Sequence, residues 1–220
     1  MIDLEAARKA IHFVMPDSIF MCDLETVALT EDAYILSIGG LVFKPSEGIG
    51  GIIDADGKLI CPSFEIFISG EGQEGRFQDP NTVKWWDGQP ASSRELMFGP
   101  DTPRMSLEQG IDFMLAFLDK TKPTHGSANS PSFDFNILKH AMRPYTKKFN
   151  FPFWNEIDYR SIESFVFGTN VRKEGMPFHF GTKHTALDDS ISQAIALCYM
   201  YQWRREIDQA YGGGARTRGG

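Results

Sequence analysis

The sequence predicts an α/β domain in which helices cover a mixed β-sheet, with α+β as the neighbouring reading. Three observations carry this. Short β-rich segments crowd the opening third, the hydrophobic period shifts from two toward about 3.6 near residue 106, and helices follow and alternate with the strands. With 220 residues, 42 % of them hydrophobic, the chain can build one well-packed core and is too short for two ordinary domains.

The elements follow in order. Leu4, Ala7, Ile11 and Val14 recur at helical spacing and predict a short amphipathic helix that Pro16-Asp17 ends, an N-terminal extension over residues 1–17. Phe20 to Glu25 reads as the first strand and Tyr34 to Phe43 as the second. Two small apolar runs about Asp56-Gly57, within Ile52 to Ile60, read as a hairpin, and Phe64 to Ile68 as a further strand. The opening third is thus an antiparallel meander. Ser106 reads as an N-cap with Glu108 and Gln109 in the first turn, ahead of a stripe of Leu107, Ile111, Met114, Leu115 and Leu118 that ends near Lys120. A glycine- and serine-rich connection, Thr124 to Pro131, leads into a helix start at Phe133 to Leu138, which Pro144 closes. A short strand is expected within Asn155 to Asp158, and a long helix over Thr185 to Gln209, with Leu187, Ile191, Ala194, Cys198 and Tyr201 on one face. Lys44 to Gly51 and Phe98 to Arg104 read as surface loops. Residues 18–209 form the expected domain, and 210–220 a mobile Gly/Arg tail.

Composition narrows the function. No stretch approaches the roughly eighteen apolar residues of a spanning helix, and the acidic start, Met1-Ile2-Asp3-Leu4-Glu5, is unlike a signal peptide. Cys22, Cys61 and Cys198 are widely spaced in apolar company, as in a reduced cytoplasmic protein without a disulfide framework or zinc site. A net charge of -7 argues against holding nucleic acid by bulk electrostatics. It leaves room for an enzyme whose acids are neutralised locally by divalent cations.

The pair Asp23 and Glu25 gives that idea a place. Strand alternation puts both carboxylates on one face, with Leu24 on the other. Two such groups on a buried strand repel unless a cation or shared proton lies between them. Asp134 follows a Ser-Pro-Ser-Phe turn at a helix start, and Asp188 and Asp189 open the last helix beside His184. Brought together, four carboxylates from three segments would form an oxygen-rich cage for magnesium or manganese, suited to phosphoryl chemistry with two ions about 4 Å apart. Each later acid also has a reading without metal: Asp134 as a helix cap, Asp188 or Asp189 as a partner of the helix dipole. A nucleic-acid-binding module without activity would not need to gather repelling carboxylates.

Asp23-Leu24-Glu25-Thr26, Ser127-Ala128-Asn129-Ser130-Pro131-Ser132-Phe133-Asp134 and His184-Thr185-Ala186-Leu187-Asp188-Asp189 resemble the three motifs of the DEDD exonuclease superfamily, histidine branch. Ile35 to Gly39, Thr82-Val83-Lys84-Trp85-Trp86 with Gln89, and Pro152-Phe153-Trp154-Asn155 extend the likeness to the phage DexA and mycobacterial-type 3'-5' exonuclease group, over roughly residues 18 to 205. The resemblance implies a ribonuclease H-like fold and stepwise release of 5'-nucleoside monophosphates from the 3' end of single-stranded DNA or RNA, or of a 3' overhang. It implies two Mg2+ ions, replaceable by Mn2+, held by Asp23, Glu25, Asp134 and Asp189, with His184 as general base. The His-x-Ala-x-x-Asp pattern selects Asp189 and leaves Asp188 as a capping or supporting group. A homodimer is implied as well, and a cytoplasmic place, the host's if the chain is phage-encoded. Thr26, Val27, Ala28, Phe133, Lys183 and Trp85 are the candidate substrate contacts, with at least one of Trp85 and Trp86 assigned to packing. Arg143, Lys147, Lys148, Arg172, Lys173, Arg216 and Arg218 are scattered basic candidates. A different metal-dependent hydrolase of nucleotides or short oligonucleotides is the competing enzyme class.

Overall fold

The computed structural model describes residues 13–168 and 179–211. The expected N-terminal helix lies largely outside these residues, as do the tail beyond Tyr211 and the basic candidates Arg172, Lys173, Arg216 and Arg218.

One six-stranded sheet organises the described residues. Its strands are β1 (Ile19–Thr26), β2 (Ile35–Phe43), β3 (Ser63–Ile68), β4 (Arg104–Met105), β5 (His125–Ala128) and β6 (Glu156–Asp158), in the spatial order β4-β3-β2-β1-β5-β6. β1, β2 and β3 pair antiparallel, as the meander reading expects, while β1–β5, β5–β6 and β3–β4 are parallel. The sheet is therefore mixed, with β1 near its centre.

The pleat of β1 sorts its residues onto two cores. Phe20, Cys22 and Leu24 face a cluster built with α3 (Leu107–Thr121) and α4 (Asp134–Met142). Ile19 and Met21 face a second cluster with α5 (Tyr159–Phe167) and α6 (Ala186–Tyr211). Asp23 and Glu25 continue the Ile19–Met21 face, so the carboxylates point toward α6. A third, smaller cluster of Val27, Leu36, Trp86 and Met97 seats α1 (Pro80–Asp87) and α2 (Ala91–Phe98) at the end of the sheet.

Local chemistry explains the helix ends. Ser106 Oγ accepts from the Gln109 N–H while Gln109 Oε1 accepts from the Ser106 N–H, a reciprocal cap for α3. Asp79 caps α1, with Pro80 in its first turn, and Asp158 caps α5. At the middle of the sheet two glycines allow close packing. A Cβ on Gly39 would lie 2.3 Å from backbone atoms of Ala186 and Leu187, and one on Gly40 2.5 Å from the Phe20 ring. Gly39 is what lets the start of α6 rest directly on the sheet.

Several elements differ from expectation. The hairpin over 52–60 contributes a single antiparallel bridge, Ile53 to Leu59, and no strands. Its turn is instead held locally, the Asp54 carboxylate accepting from the Asp56 and Lys58 N–H groups. The connection over 124–131 contains the buried strand β5, whose Gly126, Ser127 and Ala128 carry little strand preference and are held there by β1 and β6 on either side. The tract 98–104 closes α2 and opens β4, with the Arg104 guanidinium gathering the carbonyls of Leu96 and Met97 at 3.1 and 2.8 Å. The tract 44–51 forms two short 3-10 turns packed against α6, where the Cys198 thiol lies 3.7 Å from the Pro45 carbonyl.

Candidate active site

Each acidic residue arrives on a separate element. Asp23 and Glu25 lie in the last half of β1, opposite Gly39 and Ser37 of β2. Asp134 opens α4 and Asp189 lies in the first turn of α6. Glu25, His184 and Asp189 place one ligand atom apiece within 4.8 Å of one another. Asp23, Glu25, His184 and Asp189 line one cleft of about 490 Å³, with Asn129, Tyr159, Arg160, Glu163, Ser192 and Gln193 on its other walls.

The electrostatics of this cluster are unfavourable without a counter-charge. Burial first, then the charges of Asp134, Glu25 and Asp189, push the Asp23 carboxyl well above its ordinary range. Burial, then Asp189, Glu65 and Asp134, push Glu25 up to about 9. Burial also raises Asp134, to about 7, although backbone N–H groups of Ser130, Asp134 and Leu24 oppose the rise. Asp189 is raised by burial, and the His184 N–H and nearby imidazoles counter it. Among the described residues, no lysine or arginine forms an ion pair with any of the four. Gln193 Nε2 donates to Asp23 Oδ1 at 3.0 Å, while Gln193 Oε1 and Ser37 Oγ are buried without partners among the described residues. Hard oxygen donors with spare acceptors and no paired cation fit a divalent metal of the Mg2+ or Mn2+ type.

The loop before α6 is tied to the helix by the same acids. Asp189 Oδ2 accepts from the His184 N–H at 3.0 Å, and Asp188 Oδ2 from the Thr182 N–H at 2.7 Å. Asp188 therefore braces the loop under Gly181, where a Cβ would collide with its carboxylate. His184 has a φ of 60°, a left-handed conformation that costs a non-glycine residue and is kept only where the surroundings enforce it. Trp85 stands edge-on to the imidazole with ring centroids 5.0 Å apart, and Ser93 Oγ donates to the Lys183 carbonyl at 2.7 Å. Burial lowers the His184 pKa below its ordinary value, with Asp189 opposing and Lys183 assisting.

The candidate substrate contacts divide. Trp85 is 47 % exposed beside His184, whereas Trp86 is buried, its indole N–H donating to the Thr26 carbonyl at 3.0 Å. Trp86 is thus the packing residue. Val27 and Ala28 are buried in the hydrophobic clusters, so side-chain contacts expected of them are closed off by packing. Thr26 Oγ1 is occupied in donating to the Ala28 carbonyl at 2.7 Å. Phe133 is partly buried against the core, and the Lys183 side chain is exposed next to the site. Away from the cleft, Lys147 pairs with Asp112 and Glu108, and Arg143 with Glu31. Arg160 and Gln193 are site residues that sequence reasoning missed. Arg160 sits in the first turn of α5, two residues after the expected strand at 155–158, and Gln193 one turn after Asp189, a spacing that could have flagged it.

The family model for the 3'-5' exoribonuclease Rv2179c-like domain matches residues 18–201. The chain belongs to this family. It is a nuclease, and its sheet with flanking helices is the ribonuclease H-like fold of the DEDDh exonucleases. Solved structures agree on the fold. The cell-death related nuclease CRN-4 aligns with a TM-score of 0.55 at 15 % identity, covering 85 % of this chain and 64 % of that one. The nuclease domain of 3'hExo, described as a DEDDh member bound to rAMP, gives 0.58 at 12 % identity, covering 85 % and 92 %. The zinc-bound form of the E. coli ExoI–ssDNA complex gives 0.50 at 11 %, covering 90 % and 43 %. Among curated proteins, none matches the chain in sequence. Among the described residues, no helix is long and apolar enough to cross a membrane.

Proposed function

We propose that this Rv2179c-like nuclease removes nucleotides one at a time from the 3' end of single-stranded RNA or DNA, or of a 3' overhang, with two divalent cations. The observation that carries the reading is the meeting of Asp23, Glu25 and Asp189 with His184 in one cleft; Asp134 is buried outside the cleft lining, and its charge reaches Asp23 and Glu25. Asp23, Glu25, Asp134 and Asp189 would hold Mg2+ or Mn2+ ions, which supply charge to the scissile phosphate and acidify the attacking water. The likeness of the 82–89 and 152–155 segments to the phage DexA group supports the same activity.

The protein's own groups divide the remaining tasks. The His184 imidazole, neutral near pH 7 because burial lowers its pKa, accepts a proton from the attacking water. Water forms the new P–O bond, and the bond to the 3' oxygen of the preceding nucleotide breaks. That oxygen takes up a proton as the new 3'-hydroxyl, and the terminal nucleotide leaves as a 5'-monophosphate. Arg160, on the cleft wall and held to Asn129 Oδ1 at 3.3 Å, supplies the guanidinium that a backbone phosphate needs opposite so many carboxylates. Trp85 offers its exposed face to an unstacked base. Lys183 meets a neighbouring phosphate, and Phe133 and the backbone of residues 26–28 border the terminal nucleotide.

A panel of 5'-labelled single-stranded RNA and DNA oligonucleotides, with Mn2+ and with EDTA, tests the reading. A metal-dependent ladder that shortens from the 3' end supports it. Internal cuts, or action confined to dinucleotides, would overturn it.

A further inference from the structure

The acid beyond the cluster has a specific task. Glu65 of β3 lies two strands away from Asp23 on the same face of the sheet, with Gly39 between them: Asp23 pairs with Gly39, and Gly39 with Glu65. The start of α6 rests on that bare glycine. Glu65 Oε1 accepts from the Leu187 N–H at 3.3 Å, and the Ala186 N–H also faces the carboxylate. These are the first N–H groups of α6, which have no carbonyl partner within the helix.

Local caps are already committed. The Thr185 hydroxyl, in the usual N-cap place, donates to the Thr182 carbonyl at 2.6 Å. Asp188 and Asp189 turn back to the N–H groups of Thr182 and His184. The side chains that would ordinarily close this helix therefore brace the loop that carries the histidine. Glu65 is a costly substitute, since its charge adds to those that raise Glu25. The cost is accepted where the helix end must be set with precision.

We propose that Glu65 is a positioning residue. By capping α6 across Gly39, its carboxylate fixes the height and angle at which Asp189 and His184 meet Asp23 and Glu25. This rests on the reading of Asp189 as a metal ligand. Reach matters in this role more than charge, because a neutral carbonyl oxygen at the same position accepts the same hydrogen bonds.

Three variants separate the possibilities: Glu65→Gln keeps the reach and loses the charge, Glu65→Asp keeps the charge and loses the reach, and Glu65→Ala loses both. Mn2+ affinity is read by calorimetry on the full chain, with thermal unfolding in EDTA alongside, and Asp189→Asn as the control. Glu65→Gln is expected to bind Mn2+ within about threefold of wild type, and Glu65→Asp and Glu65→Ala at least about tenfold more weakly. Wild-type affinity in Glu65→Asp would overturn the proposal even if its melting temperature falls, since the helix would then need no cap of this length. Loss in Glu65→Gln would overturn it in favour of a purely electrostatic role. If wild type itself binds no Mn2+, or Asp189→Asn binds normally, the metal-centre reading fails, and the proposal with it.

Discussion

Replacing Glu25 by glutamine should stabilise the metal-free protein, although the same change should damage the metal-loaded one. Glu25 is 7 % exposed, and its pKa moves from 4.5 to about 9 on folding. A carboxyl raised in the folded state contributes stability that is fully present below its unfolded pKa and is lost as pH climbs toward the folded one. Above pH 6.5 the opposing contribution of His184, whose folded pKa is lowered, has been passed. Each pH unit in this range costs about 1.4 kcal/mol, so raising pH from 6.5 to 8.0 should remove about 2 kcal/mol from the wild-type protein through Glu25. For a chain of this size that corresponds to a fall of about 4–8 °C in Tm. Thermal unfolding followed by circular dichroism in EDTA at the two pH values measures it. Glu25→Gln should melt above wild type at pH 8.0 and show a fall smaller by the Glu25 share, because Asp23, raised mainly by burial, still titrates in the variant. Saturating Mn2+ should raise the wild-type Tm and move the variant far less. A metal-free wild type whose Tm is flat or rising over this interval, or a glutamine variant that melts lower than wild type at pH 8.0, would refute the reasoning.

Asp23→Asn should retain the fold and lower nuclease turnover about a thousandfold, because several kcal/mol of charge stabilisation depend on the ions; single-turnover rates and a melting curve check this together. His184→Ala should cost about a hundredfold or more in kcat while Mn2+ affinity stays near wild type, and the wild-type rate should fall only as pH drops through a pKa below the ordinary histidine value. Gly39→Ala should destabilise by about 1–3 kcal/mol and weaken Mn2+ binding, since the added methyl meets backbone of Ala186 and Leu187 that cannot turn aside; chemical denaturation and calorimetry test the two parts. Arg160→Gln should raise KM about tenfold with little change in kcat and flatten the salt dependence of binding by about one phosphate contact.

Much of the fold was legible because the decisive signals are local. The alternation around Asp23-Leu24-Glu25 survives intact in β1, where Leu24 joins one core and both acids face α6. The reciprocal cap of Ser106 and Gln109 is visible in sequence as a spacing of three, and the stripe of Leu107, Ile111, Met114 and Leu118 is buried as its period requires. Strand β5 was hidden because His125-Gly126-Ser127-Ala128 has no strand preference of its own; small residues are needed there, since a Cβ on Gly126 would strike the Phe151 ring at 2.4 Å. The helices α1, α2 and α5 are only eight or nine residues long, too short for a periodic stripe to stand out in sequence before their neighbours are known. For the site, motif spacing points to the acids and to His184. It cannot point to Arg160 or Glu65, whose roles arise from partners 31 and 122 residues away in sequence; Gln193 stands one turn after Asp189, but its bond to Asp23 spans 170 residues.

The central claim is that carboxylates from β1, α4 and α6 jointly hold two divalent ions. Anomalous scattering from a crystal soaked in Mn2+ tests it most directly. Two manganese peaks in the cleft, both in contact with Asp23, with Glu25 and Asp189 on one ion and Asp134 serving the other, are the predicted result. Peaks that avoid Asp23, or a cleft that takes up no manganese, would contradict it.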